Sequence, residues 1–300
     1  MSTDLTRPRR PTAAQWAAGA RPRTLPAAIS PVLAGSGVAG WAGGFSPVEA
    51  LLALVVSLAL QVGVNYANDY SDGIRGTDAD RVGPLRLVGS GVAEPRSVKV
   101  AAFACFGIAA LAGLALVVLT QLWWLLAVGV ACILAAWYYT GGRRPYGYRG
   151  LGEVFVFVFF GLVAVSGTVL VQLRGVPWQT WPVAIGIGAL ACSILVANNL
   201  RDLRGDLAVG KHTLATRLGD AGTRRFYVVL IAAAGVAVVV VAVTTTWWAL
   251  LGLVGVALLV PAVRTVLGGA QGPTLIAVLK ASGTAELGYA VGLAVGLILG

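Results

Sequence analysis

Charge is what this chain has least of. Asp, Glu, Lys and Arg make up 11% of its 300 residues, against about 25% in a soluble domain, while 58% are hydrophobic. A soluble core cannot absorb that much apolar surface, and the mean hydropathy of +0.84 marks an integral membrane protein. Other chemistry is equally thin. There is one histidine, His212, and the three cysteines, Cys105, Cys132 and Cys192, all lie inside apolar runs with no Cys-x-x-Cys or Cys/His spacing. That excludes a disulfide framework and a zinc site. The 22 basic residues outnumber the 12 acids, for a net charge of +10. They fall between apolar runs rather than along one polar stripe, which excludes nucleic acid as a partner.

A spanning helix needs about 20 predominantly apolar residues. Nine such runs are present, at 24–43, 47–67, 98–119, 122–140, 152–172, 180–199, 226–243, 246–266 and 273–298. Residues 1–23 read as a basic, Pro-rich cytoplasmic segment preceding a retained anchor, and 24–300 as one nine-helix domain. With the N-terminus in the cytoplasm, every basic residue except Arg174 falls on the cytoplasmic side, a strong positive-inside bias. The odd helix count then leaves the C-terminus outside, and a bacterial cytoplasmic membrane is the expected location. Gly292, Gly296 and Gly300 form consecutive GxxxG steps, read first as close helix packing and only second as a dimer face. No obligate protein partner is evident.

Asn68-x-x-x-Asp72 closes the second run, and Asn198-x-x-x-Asp202 closes the sixth. This echo suggests two related four-helix units plus one extra helix.

Carboxylates near hydrocarbon are expensive and usually functional. Half of the twelve acids fall in two stretches on one membrane face: Asp69, Asp72, Asp78 and Asp80, then Asp202 and Asp206. Spacings of three and four at helix ends put these side chains on one face. Like charges so placed repel, so a cation belongs between them. An oxygen-only donor set suits Mg²⁺. Ordinary loop acids paired with Arg75, Arg81, Arg201 and Arg204 are the alternative, and a cation-coupled transporter is another. A transporter, however, places its acids near the bilayer midplane. The run from Gly205 to His212 nearly spells a phosphate-binding P-loop, but it follows a membrane helix and has His212 where a hydroxyl residue is needed.

Asn68-Asp69-x-x-Asp72 with Asp78, and Asn199-x-x-Asp202-x-x-x-Asp206, resemble the two Asp-rich motifs of the UbiA superfamily of membrane prenyltransferases. Residues 20–35, 65–86, 139–153 and 198–219 resemble its 1,4-dihydroxy-2-naphthoate polyprenyltransferase branch. Asp78 departs from the general pattern, lying six residues after Asp72 rather than four. The resemblance implies an all-α fold of nine transmembrane helices around a central cavity open laterally to the bilayer. It implies transfer of a polyprenyl group from polyprenyl diphosphate to 1,4-dihydroxy-2-naphthoate with decarboxylation, giving demethylmenaquinone. The alternatives within the superfamily use 4-hydroxybenzoate or haem as acceptor. Mg²⁺ would be held by Asn68, Asp69, Asp72, Asp78, Asp202 and Asp206, with Asp72, Asp202, Tyr139 and Lys211 central to catalysis. Lys211, Arg143 and Arg201 would meet the diphosphate. Arg21 and Arg23 would meet either the diphosphate or the naphthoate carboxylate, and Asn65 and Asn199 would bind substrate beside them. Tyr66, Tyr70, Tyr138 and Tyr139 would face the allylic cation, each worth about 0.5–2 kcal/mol by cation–π attraction.

Overall fold

The structure is a computed structural model that describes residues 11–76, 85–143, 145–208 and 210–300. Among these residues there is no strand. Nine apolar helices follow one another: Leu25–Trp41, Pro47–Arg75, Pro95–Thr120, Leu125–Tyr138, Gly152–Leu173, Thr180–Ala208, Leu214–Thr244, Trp247–Leu267 and Gly272–Leu299. They are the first to ninth spans below. Seven are long and apolar enough to cross a membrane on their own. The first and fourth have 17 and 14 residues, roughly 26 and 21 Å at 1.5 Å per residue. Each is shorter than its hydrophobic run because both ends leave the helix in turns, Thr24 and Ala42–Gly43 about the first span and Trp123–Trp124 and Tyr139–Thr140 about the fourth.

The second and sixth spans differ the other way. Both have 29 residues and continue well past the apolar runs 47–67 and 180–199. Hydropathy marks where lipid ends. A helix satisfies its own backbone and can run on beyond that point until something stops it. The second span stops where Gly76 takes the left-handed conformation (φ 71°) at its C-terminus, as is common for helix ends. The seventh span begins at Leu214 rather than 226 and is broken once, at Gly219 (φ 69°). In the fifth span, Phe157–Val163 is wound as a π-helix.

Small residues decide which spans touch. A Cβ on Gly37 would lie 2.6 Å from the Ala294 backbone, joining first span to ninth, and one on Gly161 would lie 2.7 Å from the backbone of Gly188, joining fifth to sixth. The GxxxG glycines are consumed inside the chain: a Cβ on Gly292 or Gly296 would lie 2.4 or 2.1 Å from backbone oxygens of the eighth span.

The largest apolar core joins the first span to spans five to nine around Ile187, Leu190, Val238 and Leu293. A second core, with Tyr66, Val98 and Phe106, ties together spans two to four. A cavity of about 900 Å³ lies between the two cores. At one end it meets the polar ends of the second and sixth spans. At the other it closes on Val32, Ala53, Leu116 and Val171. Leu114, Leu126 and Val130 of the third and fourth spans line it while remaining exposed themselves, so it opens on its flank. Arg174 stands at the far end from the acids, where it pairs with Glu49 at 3.2 Å and reaches the Val171 and Leu119 carbonyls.

Candidate active site

The extended end of the second span delivers Asn68 and Asp72 to the cavity, one turn apart, and the extended end of the sixth delivers Asn198, Asn199 and Arg201. Each residue has defined partners. Asn68 accepts a hydrogen bond from Thr140 Oγ1 at 2.7 Å. Asp72 is buried and accepts one from the Tyr148 hydroxyl. Asp202 is gripped by Arg201 through two nitrogens, each at 2.7 Å, while the same guanidinium reaches Asn198 Oδ1 at 2.9 Å. Asp206 faces Lys211 at 3.6 Å, and Lys211 Nζ also lies 4.7 Å from the centre of the Tyr148 ring.

The loop between the fourth and fifth spans is the third wall. Arg75, at the end of the second span, donates to the Thr140 and Gly142 carbonyls and so holds this loop over the carboxylates. Tyr139 packs edge-on against Tyr146 at 5.5 Å, Tyr146 stacks on Phe155 at 3.9 Å, and Phe155 lies 5.9 Å from Phe159. All four rings line the cavity. Burial pushes the Tyr146 phenol far above its ordinary value, so it is a permanent donor, spent on the Ala135 carbonyl at 2.8 Å.

Several residues expected at the site serve elsewhere. Asp69 does not line the cavity. It is fully buried, and its carboxylate accepts the backbone N–H groups of Leu87 (2.7 Å) and Val88 (3.0 Å). It anchors the returning loop instead of facing substrate, because those donors occupy both of its oxygens. Tyr66 donates to the Trp16 carbonyl at 2.9 Å and packs edge-on against that indole, fixing the N-terminal helix Ala13–Gly19. Tyr70 stacks on Trp137 with Lys99 above it at 5.6 Å, so its cation is a lysine of the third span. Tyr138 is 51% exposed and points away, since it sits next to Tyr139 on the helix and cannot share its face. Arg143 is exposed and outside the cavity. Asn65 lines it, but its amide is spent on Ala20 O and Thr24 Oγ1 at 2.8 and 2.9 Å, pinning the turn that carries Arg21 and Arg23 to the cavity wall. Asp78 lies outside the described residues. Gly205 is in the middle of a helical turn, which removes the P-loop reading.

Tyr146, Tyr148, Arg86 and Glu153 are additions. The two tyrosines straddle Gly147 in a short loop, with no periodicity to mark them. Glu153 had a visible signal: it is a carboxylate opening an apolar run. It is buried and accepts a hydrogen bond from Asn199 Nδ2 at 2.9 Å, which leaves the Asn199 carbonyl oxygen for the cavity side.

A Mg²⁺ ion fits these donors in kind, all oxygen and none nitrogen or sulfur. Among the described residues no three carboxylates already converge on one point, because Asp202 and Asp206 are turned to Arg201 and Lys211. Asp72 opens onto the cavity, whereas Asp202 and Asp206 do not line it and stand behind the lining cations Arg201 and Lys211. Acids and cations gathered at one end of a long apolar cavity define a membrane enzyme that handles a charged head on a greasy tail.

Residues 28–295 match the UbiA prenyltransferase family, and the chain belongs to it. It is 54% identical over 287 residues to the 1,4-dihydroxy-2-naphthoate octaprenyltransferase of Mycobacterium tuberculosis, covering 96% of this chain and 98% of that one. The fold is shared with a UbiA homolog from Aeropyrum pernix K1 (TM-score 0.67, 16% identity, 91% of this chain and 97% of that one). It is shared too with a UbiA homolog from Archaeoglobus fulgidus bound to GPP and Mg²⁺ (TM-score 0.64, 13% identity, 95% and 100%).

Proposed function

We propose that the protein transfers a polyprenyl group from polyprenyl diphosphate to 1,4-dihydroxy-2-naphthoate, with loss of the carboxylate as CO₂ and release of diphosphate, to give demethylmenaquinol, the reduced form of demethylmenaquinone. The observation that carries this is the shape of the cavity: Asp72 and cations at its polar end, with Asp202 and Asp206 behind Arg201 and Lys211, aromatic rings next, then apolar walls towards Val32, Ala53, Leu116 and Val171. The relative that matches nearly end to end bears the corresponding name, and a fold neighbour was solved with a prenyl diphosphate and Mg²⁺.

In this reading Asp72, Asp202 and Asp206, with Asn68 and the Asn199 oxygen, would hold Mg²⁺, which would supply charge stabilisation to the departing diphosphate. For Asp202 and Asp206 to serve, Arg201 and Lys211 release them and turn to the phosphates. A guanidinium suits this exchange because its fork fits carboxylate and phosphate equally well. Tyr148 holds Asp72 in place. Tyr139, backed by Tyr146 and Phe155, lies where the allylic carbon separates from oxygen, and its ring face stabilises the positive charge while the aromatic wall excludes water. The acceptor attacks through its electron-rich ring carbon, and the carboxylate on that carbon departs. The acidic end faces the cytoplasm of a bacterium, where the diphosphate is made, and Arg174 marks the outer face.

Purified protein in lipid nanodiscs, given a labelled polyprenyl diphosphate and Mg²⁺, is expected to prenylate 1,4-dihydroxy-2-naphthoate and to lose that activity in EDTA. Preferential transfer to 4-hydroxybenzoate, or undiminished transfer in EDTA, would overturn the assignment.

A further inference from the structure

Among the described residues six cations line the cavity: Arg21, Arg23, Arg86, Arg201, Lys211 and Lys280. Arg201 and Lys211 are paired with the carboxylates of the sixth span, and Arg21 and Arg86 are engaged as well. Arg23 and Lys280 have no hydrogen bond or ion pair to any described residue. Both are exposed where they line the cavity, so their charges are open to an anionic ligand entering it.

The two come together on one wall. Lys280 projects from the ninth span between Leu279 and the inward-facing Ile276, both also cavity-lining. One turn further on, a Cβ on Gly283 would lie 3.4 Å from the Arg23 carbonyl oxygen, so the ninth span and the Pro22–Thr24 turn are packed against each other there. That turn is rigid: Gln61 and Asn65 of the second span both bond Thr24 Oγ1, at 3.1 and 2.9 Å. Thr213, which caps the N-terminus of the seventh span by accepting the Thr216 N–H, lines the same cavity, adding the partial positive charge of a helix start. The oxygen donors that line the cavity, Asn68, Asp72 and Asn199, come instead from the second and sixth spans, while this wall offers two cations beside the apolar side chains of Ile276 and Leu279.

We propose that Lys280, with Arg23, binds the carboxylate of the aromatic acceptor. This rests on the acceptor reading above and adds the residue that selects a 2-carboxylated ring over an uncharged one. The site holds the acceptor by the group it will later lose, so the ring carbon bearing that group is the one presented to the prenyl donor.

Two competing ligands of the same ring test it: 1-hydroxy-2-naphthoate, which has the carboxylate, and 1-naphthol, which lacks it. In phosphatidylcholine nanodiscs the unmodified protein is expected to favour the acid at least tenfold. In Lys280→Gln and Arg23→Gln that preference falls at least fivefold, the affinity for 1-naphthol and the KM for the prenyl diphosphate stay constant, and Lys280→Arg restores the preference. The constant donor KM shows that the variants are folded. A preference that survives both substitutions overturns the proposal, as does equal weakening of donor and acceptor. A Lys280 effect seen only with anionic lipids present would assign the residue to lipid headgroups and overturn it too. Failure of the unmodified protein to prenylate 1,4-dihydroxy-2-naphthoate would instead sink the acceptor reading itself.

Discussion

Asp69 and Asp72 lie one turn apart in the same motif and have different jobs. Asp69 ties down the backbone of Leu87 and Val88, and Asp72 faces the cavity under Tyr148. Asp69→Ala leaves two N–H groups without an acceptor, at about 1–3 kcal/mol each where they stay buried. It is expected to lower the thermal unfolding midpoint while the concentration of Mg²⁺ needed for half-activation in surviving enzyme stays the same. Asp72→Ala has the opposite signature: a midpoint near that of the parent and prenyl transfer reduced by about 10² or more, the scale set by losing a charge-stabilising group. Tyr148→Phe removes one hydrogen bond to a charged acceptor, worth about 1.5–3 kcal/mol, and transfer is expected to fall by about tenfold or more. The sequence shows both acids but not their division, since spacing places each on a helix and says nothing of what lies opposite. Tyr148 is hidden for the same reason: its role exists only once a distant helix end arrives beneath it.

At the scale of elements, the spans themselves were readable because a bilayer imposes a length. Their ends were not, because the motif helices outlast the hydrocarbon, and it is in that extra length that Asp72 and Asp202 sit. Helix pairing is equally hidden in composition, where 40 glycines look alike, yet in space some press against a neighbouring span and others face open space. Gly296→Leu would drive a side chain into the Trp248 carbonyl, 2.1 Å from the position of the first added carbon. Overpacking costs about 1–3 kcal/mol and sometimes more. A melt in detergent is expected to show that loss, whereas Gly129→Leu, with nothing within 4 Å, leaves the melting point within a degree or two. Equal effects at the two positions would contradict the packing described.

For the whole molecule, the division into two cores with the cavity between them places the chemistry at one face and a clasp at the other. Arg174, Glu49 and Gln172 lock the opposite end, where Gln172 also accepts the Ser46 N–H at 3.2 Å. The charge bias predicts that this end lies outside. In intact cells a membrane-impermeant thiol reagent is expected to modify Ser46→Cys and to spare Arg143→Cys until the cells are opened. The reverse pattern would invert the orientation and place the diphosphate site on the wrong side of the membrane for its substrate.

The π-wound stretch Phe157–Val163 has a consequence for how this chain can change over time. A π turn carries one more residue than an α turn, so the fifth span keeps two angular registers, one for Phe155 and Phe159 and another for Gly167 and Val171 beyond it. Removing one residue from the stretch would let it rewind as α-helix and swing everything past it by about 100°, taking Gly167 and Val171 off the cavity and Thr168 off Gly35 of the first span, though no chemical group had been replaced. Along these seven positions a substitution is a local event, whereas a single-codon deletion is a rotation of half a helix. The length of this segment is therefore as much a part of the cavity as any side chain that lines it.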